Sequence, residues 1–241
     1  MASRLNVIFE DNHLLVVDKP ALLPTMGVAE GEDSLVVRAK DYLRQKYNKP
    51  GNVFLGVVSR LDAFASGVIV LARTSKAASR LSEQFRTRTV QKTYLAIVPD
   101  LKNFPQRGVL ENRIIKNEHE HRMEAVTRKG VPLPAEQIAV LSYHTIGHQD
   151  GQRLLEVDLK TGRKHQIRVQ LSAAGCPIIG DRKYDSRESF PAGIALHCAQ
   201  IVIQHPTLQN WQTFRSAPPL CWKLERFGYD EWACPPPKST F

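Results

Sequence analysis

The stretch Gly67–Ala72 reads GVIVLA, six apolar residues without a polar interruption and half of them β-branched. A strand that does not alternate has no face to give to water, so this one belongs inside a sheet covered on both sides. The residues before it, SRLDAFAS (Ser59–Ser66), form a short loop that carries Asp62 two residues after Arg60. A lone carboxylate therefore stands at the mouth of a buried strand.

Other stretches give the rest of the framework. LNVIFEDNHLLVVD (Leu5–Asp18) reads as two short strands around an Asp11–Asn12 turn. LVVRAKDYLRQKY (Leu35–Tyr47) has apolar residues at helical spacing, with Asp33 or Ser34 placed to cap its start. Ser75–Phe85 puts Ala77, Ala78, Leu81 and Phe85 on one helical face. VQKTYLAIV (Val90–Val98) is a strand with Tyr94 in its middle, and the polar segments of 105–150 predict antiparallel ribbons. RLLEVDL (Arg153–Leu159) is a strand; Lys164–Ala174 is a helix with Ile167, Leu171 and Ala174 facing inward. On that spacing Arg168 falls at the edge of the buried face. Ile194–Gln204 is a late strand and Pro218–Phe227 a last short helix. Strands outnumber helices and do not alternate strictly with them. The expectation is an α+β fold: a mixed, largely antiparallel central sheet flanked by a few helices, with a cleft. Residues 1–230 are expected to form one domain, followed by a proline-rich tail, 231–241.

Charge narrows the partners. Lys plus Arg number 33 against 24 Asp plus Glu, a net charge of +9. Such a surface attracts polyanions, RNA and DNA first among them, although a generic basic surface has the same composition. The cations recur inside ordered segments, in Arg86–Lys92, Arg113–Lys116, Thr161–Arg168 and Asp181–Tyr184, which favours a folded groove over a basic arm. No apolar run reaches the length of a bilayer span, and the N-terminus lacks the pattern of a secretory signal. The cysteines at 176, 198, 221 and 234 form no CxxC pair, so reduced thiols in a cytoplasmic protein and no metal site are expected.

Three stretches carry candidate chemistry, and each has a plain alternative. Asp62 could merely cap a turn and pair with Arg60. TGRKHQIR (Thr161–Arg168) crowds Arg163, Lys164, His165 and Arg168 at a helix start, where positive charge is unfavourable unless an anion docks; a solvated helix end is the alternative. Tyr94 could be ordinary core packing.

The order and spacing of these stretches resemble the pseudouridine synthases of the large-ribosomal-subunit synthase A family. The family's H-R-L-D-x-x-T-S-G loop corresponds to SRLDAFASG (Ser59–Gly67), its K-x-Y strand to QKTYLA (Gln91–Ala96), its G-R-x-H-Q-I-R helix to TGRKHQIRVQL (Thr161–Leu171) and its G-x-P-I-x-G-D to GCPIIGDRKY (Gly175–Tyr184). DNHLLVVDKPALLP (Asp11–Pro24) and ALHCAQIVIQHP (Ala195–Pro206) match the first and last blocks. Ser59 stands where the family has histidine and Ala65 where it has threonine; Gly130–Leu141 lacks the usual G-K-x-A-x-T pattern.

The resemblance implies an RNA-modifying isomerase that needs no cofactor or metal. Asp62 would be the nucleophile, Arg168 the cation that keeps it charged, and Tyr94 a stacking partner or proton acceptor at the base. Arg60 would fill the place of the uridine turned out of its stack, Arg163, Lys164 and His165 would contact phosphates, and Leu196 would wall the uracil pocket, with a simple core leucine as its alternative. Ribosomal or transfer RNA would be the partner, recognised by the catalytic domain's own groove in a monomer without an obligate protein partner. A catalytically silent RNA-binding relative is one alternative. A glycoside hydrolase is another; it would need a second acid such as Glu83 or Glu156.

Overall fold

A computed structural model describes residues 5–126 and 138–229. Two compact units divide them: the first runs to Gln91 and takes in Cys198–Pro218, and the second holds Lys92–His197 and the residues from Pro219 onward.

The first unit begins with β1 (Asn6–Glu10) and β2 (Leu14–Lys19), followed by α1 (Leu35–Lys46), β3 (Gly56–Val57), β4 (Ser66–Ala72) and α2 (Ser75–Arg86). The Asp11 side chain makes the β1–β2 turn by accepting hydrogen bonds from the amides of His13 and Leu14. Ser34 caps α1 through the Val37 amide, and Thr74 caps α2 through the Ala77 amide. β4 pairs antiparallel with β2, and all seven of its residues are buried, as its unbroken apolar run requires.

The second unit contributes β5 (Gln91–Pro99), β6 (Arg107–Asn117), β7 (Arg122–Val126), β8 (Ile138–Gln149), β9 (Gln152–Leu159) and α3 (Gln166–Ala173). Its strands lie in the order β5-β9-β8-β6-β7, each of these pairs antiparallel. The expected 105–150 ribbons are β6, β7 and β8; most of the Gly130–Leu141 block, and the 231–241 tail, lie outside the described residues. β10 (Leu196–Gln204) follows, and from Cys198 on it belongs to the first unit, where it neighbours β4 and pairs antiparallel with β11 (Trp211–Arg215). The α+β class, with a largely antiparallel sheet and few helices, stands as expected.

Two expectations change. The helix foreseen over Pro218–Phe227 is two separate 3-10 turns, Leu220–Trp222 and Leu224–Phe227. Lys223 between them has left-handed dihedrals (φ 49°, ψ 55°), which no continuous right-handed helix accepts. Nor does α3 have an exposed face at Arg168: Gln166 through Leu171 are all buried. Its buried polar side chains instead take partners from within the protein, although Gln170 Oε1 is left without one. Gln166 bridges Thr161, the Arg163 amide and the Val140 carbonyl, and Gln170 reaches the carbonyls of Leu110 and Ala139. Sequence reading also passed over β3 and β11, which are too short or too polar to show a period.

Gly67 explains how the loop before β4 can turn into the sheet. Its φ is +118°, and a Cβ there would lie 2.3 Å from the Cys198 carbonyl oxygen and 2.6 Å from the Cys198 nitrogen. Backbone cannot yield as a flexible side chain can. Gly67→Ala should lower the unfolding free energy by about 3 kcal/mol or more, read as a loss of urea midpoint, because both the dihedral and the packing forbid the methyl group.

Candidate active site

Asp62 lies half-buried in the loop between β3 and β4. Its Oδ1 accepts the Phe64 amide at 2.9 Å and its carbonyl accepts the Ala65 amide at 3.2 Å, so the side chain caps its own turn. The plain reading of Asp62 is thus true of its backbone role and compatible with a chemical one. Leu61, Ala65 and Ser66 around it are buried, while Arg60 is exposed.

A second loop, Pro20–Met26, is stitched to this one. Thr25 Oγ1 donates to the Leu61 carbonyl at 2.7 Å and accepts the Leu61 amide at 3.2 Å. Lys19, fully buried at the end of β2, donates through Nζ to the carbonyls of Pro20 and Leu23 at 2.8 Å and of Ala63 at 3.3 Å. An ammonium has three donors, and all three are used. Burial pushes the Lys19 ammonium down to about 8, against the opposing pull of the negative charges on Asp62 and Asp18. Asp62 therefore has a buried positive charge in its neighbourhood that sequence reasoning missed. The only signal was a lysine closing a strand, LLVVDK, whose first four residues are apolar.

The second unit holds the other candidates. Arg168 is buried and forms a two-pronged pair with buried Asp181, Nε to Oδ2 at 2.6 Å and Nη2 to Oδ1 at 2.7 Å. Its guanidinium carbon lies 4.9 Å from the centre of the Tyr184 ring. The Tyr184 hydroxyl meets His165 Nδ1 at 2.7 Å and accepts the Met123 amide at 3.2 Å. His165 is half-buried, with left-handed dihedrals at the start of α3, whereas Arg163 and Lys164 are exposed. Tyr94 is buried in β5 opposite Val157 of β9, and Leu196 is buried at the start of β10. Arg168, Asp181, Tyr184 and His165 thus form one connected cluster, of which the sequence had named only Arg168 and His165 as site residues. Among the described residues no cluster of His, Cys, Asp and Glu could hold a metal ion, and no helix is long and apolar enough to cross a membrane.

A family model described as RNA pseudouridylate synthase matches residues 13–173. The chain belongs to that family. It is 33% identical over 218 residues to the dual-specificity RNA pseudouridine synthase RluA of Escherichia coli K12, covering 88% of this chain and 92% of that one. It is 33% identical over 236 residues to the ribosomal large subunit pseudouridine synthase D of Xanthomonas campestris, covering 92% of this chain and 68% of that protein. The corresponding synthase D of Nitrosomonas europaea is 32% identical, and the match spans 58% of its length. The solved structure of human RNA pseudouridylate synthase domain containing 4 superposes with a TM-score of 0.73 at 26% identity over 92% of this chain and 93% of that one. The protein is an RNA pseudouridine synthase of the RluA type, and an isomerase. The glycoside hydrolase alternative falls with that assignment. Glu83, one of its two candidate acids, is engaged with Arg86 on the surface of α2.

Lys19 yields a pH test. Its folded pKa, about 8, lies below its ordinary 10.5. Between those values the unfolded chain binds a proton that the folded chain has released, so this group makes the fold more stable as pH rises through the window. From about pH 7 to about pH 10 the gain is about 2 kcal/mol. Lys19→Met should be less stable overall, because three carbonyls lose their donor, and should lack that gain. Urea unfolding of both proteins across the range measures it.

Proposed function

We propose that Asp62 is the nucleophile that isomerises a uridine in folded ribosomal or transfer RNA, with Arg168 and Tyr94 as its partners in the reaction. The observation that carries this reading is the Asp62 carboxylate itself. It is locked by the Phe64 amide and neighboured by a buried ammonium, in a stretch that the family match includes.

The chemistry needs little else. The bond from ribose C1′ to uracil N1 breaks, the base rotates, and C1′ is joined to C5; the proton on C5 leaves and N1 gains one. Nothing is oxidised and no group is imported. A carboxylate that attacks either C1′ or the uracil ring frees the glycosidic bond and holds one half until the other has turned. The nucleophile must be ionised to do so, and positive charge favours that form. Arg168 cannot deprotonate near neutral pH, and its two bonds to Asp181 hold the guanidinium as a fixed positive charge. Buried Tyr94 supplies a flat face for the uracil and a hydroxyl for the C5 proton.

RNA is held by the surrounding cations. Arg60, exposed beside the nucleophile, takes the place of the extruded base, and exposed Arg163 and Lys164 contact phosphates. His165 presents its ring from an anchored position, since Tyr184 fixes its Nδ1 side. Leu196 walls the pocket. In this reading the protein works as a monomer in the cytoplasm.

Tritium release from RNA labelled at uridine C5 reports the reaction. Release marks isomerisation, free uracil marks a glycosidase, and neither marks a binder. Asp62→Asn should abolish release while leaving the melting temperature and RNA binding near those of the parent; an active Asp62→Asn protein would refute the assignment. Arg168→Lys should lose about 10²-fold or more in turnover, because a point charge cannot reproduce the fork. Tyr94→Phe separates its two duties: retained release assigns the ring to stacking, and lost release assigns the hydroxyl to proton transfer.

A further inference from the structure

The two stitched loops beside Asp62 carry large apolar side chains on their outside. Leu22 is 61% exposed, Met26 46% and Phe64 48%. Leu22 is anomalous twice over, because its φ is +65°, the left-handed region that a branched side chain avoids. Strain of that kind is ordinarily repaid by burial or by a turn that nothing else can make. Here the side chain goes to solvent, and the turn is held in place from both sides by the Lys19 bonds to the carbonyls of Pro20 and Leu23. Backbone strain held rigidly at a functional loop points outward, to something the loop binds.

We infer that Leu22, Met26 and Phe64 form an apolar rim that stacks on the bases flanking the target uridine. The inference rests on the reading of Asp62 as nucleophile. When a uridine is turned out of a stack, each neighbouring base exposes one face to water, and apolar or aromatic side chains are the surfaces that cover such faces. The rim lies where those faces must be. The Phe64 amide is bonded to the Asp62 carboxylate, and the Leu22 and Met26 loop is tied to Leu61 and Ala63 on either side of Asp62. Arg60 on the same loop enters the gap left by the uridine, and the rim covers the parts of the flanking bases that the arginine leaves open. A protein partner seated on these loops would cover the nucleophile, so the occupant is the substrate RNA itself.

The test uses the full chain and two stem–loop RNAs. Both have one loop uridine; in the first it lies between two purines, and in the second between two abasic nucleotides. Anisotropy measures binding in the Asp62→Asn background, so turnover plays no part. Phe64→Ala and Leu22→Gly should each weaken binding of the purine-flanked RNA about tenfold, the order expected for one stacked base, and leave the abasic RNA unchanged. Leu22→Gly should also raise the melting temperature by about 2–4 °C, because glycine accepts the dihedral that leucine does not. Phe64→Tyr keeps a ring and should bind like the parent. Equal weakening on both RNAs, or none on either, overturns the inference, as does binding of a second copy or another protein that these substitutions abolish while the RNAs bind normally. Turnover by Asp62→Asn in the tritium assay would instead overturn the assignment of the nucleophile, and the two failures are read by separate measurements.

Discussion

The buried ammonium of Lys19 is the interaction on which the first unit's chemistry depends. A lysine taken out of water is costly, and this one is offset only by a full set of carbonyl partners and by the negative charges of Asp62 and Asp18. Those partners lie on two loops with no regular structure of their own. One group thereby fixes the strained turn at Leu22, and the stretch beside Asp62, relative to the end of β2. The Thr25 hydroxyl repeats the connection at Leu61. A carboxylate that is to act as a nucleophile must not wander, and here its loop is held by hydrogen bonds between side chains and backbone.

The second unit solves a similar problem with an ion pair. Arg168 and Asp181 are both almost wholly buried, and such a pair is retained only when its geometry is good, because removal of either member strands a charge in a dry interior. Two parallel bonds and the Tyr184 ring hold the guanidinium plane. Tyr184 in turn meets His165 at the start of α3 and the backbone of β7. A basic segment that would be awkward at a helix start is thus braced from within, which leaves Arg163 and Lys164 to face outward.

Glycine and strain mark where function presses on the fold. Gly67 allows β4 to approach Cys198 of β10 so closely that no side chain fits, and this sets where the Asp62 loop enters the sheet. Leu22 does the opposite, since a bulky residue occupies a conformation suited to glycine and presents its side chain to solvent. The first feature favours stability and the second opposes it, and both sit within the loops that carry Asp62 and its supports.

Much of this was legible in the chain itself. The unbroken apolar runs of β2 and β4, the β-rich stretches of β5 and β9 and the helical spacing of α1 and α2 announce their conformations, because burial imposes a pattern that sequence records directly. The order of the short motifs pointed to the family, and Asp62, Tyr94 and Arg168 were named from it. What only tertiary structure decided is which groups are buried together. Lys19 and Asp181 look like surface charges in the sequence, and Arg168 looks like a residue at a helix edge, because helical spacing describes one face and cannot say that a helix is enclosed on every side. The sequence determined the elements and offered the candidate side chains, since those depend on neighbours along the chain. The partners that hold those side chains still come from residues distant in sequence, and only packing brings them within hydrogen-bond reach.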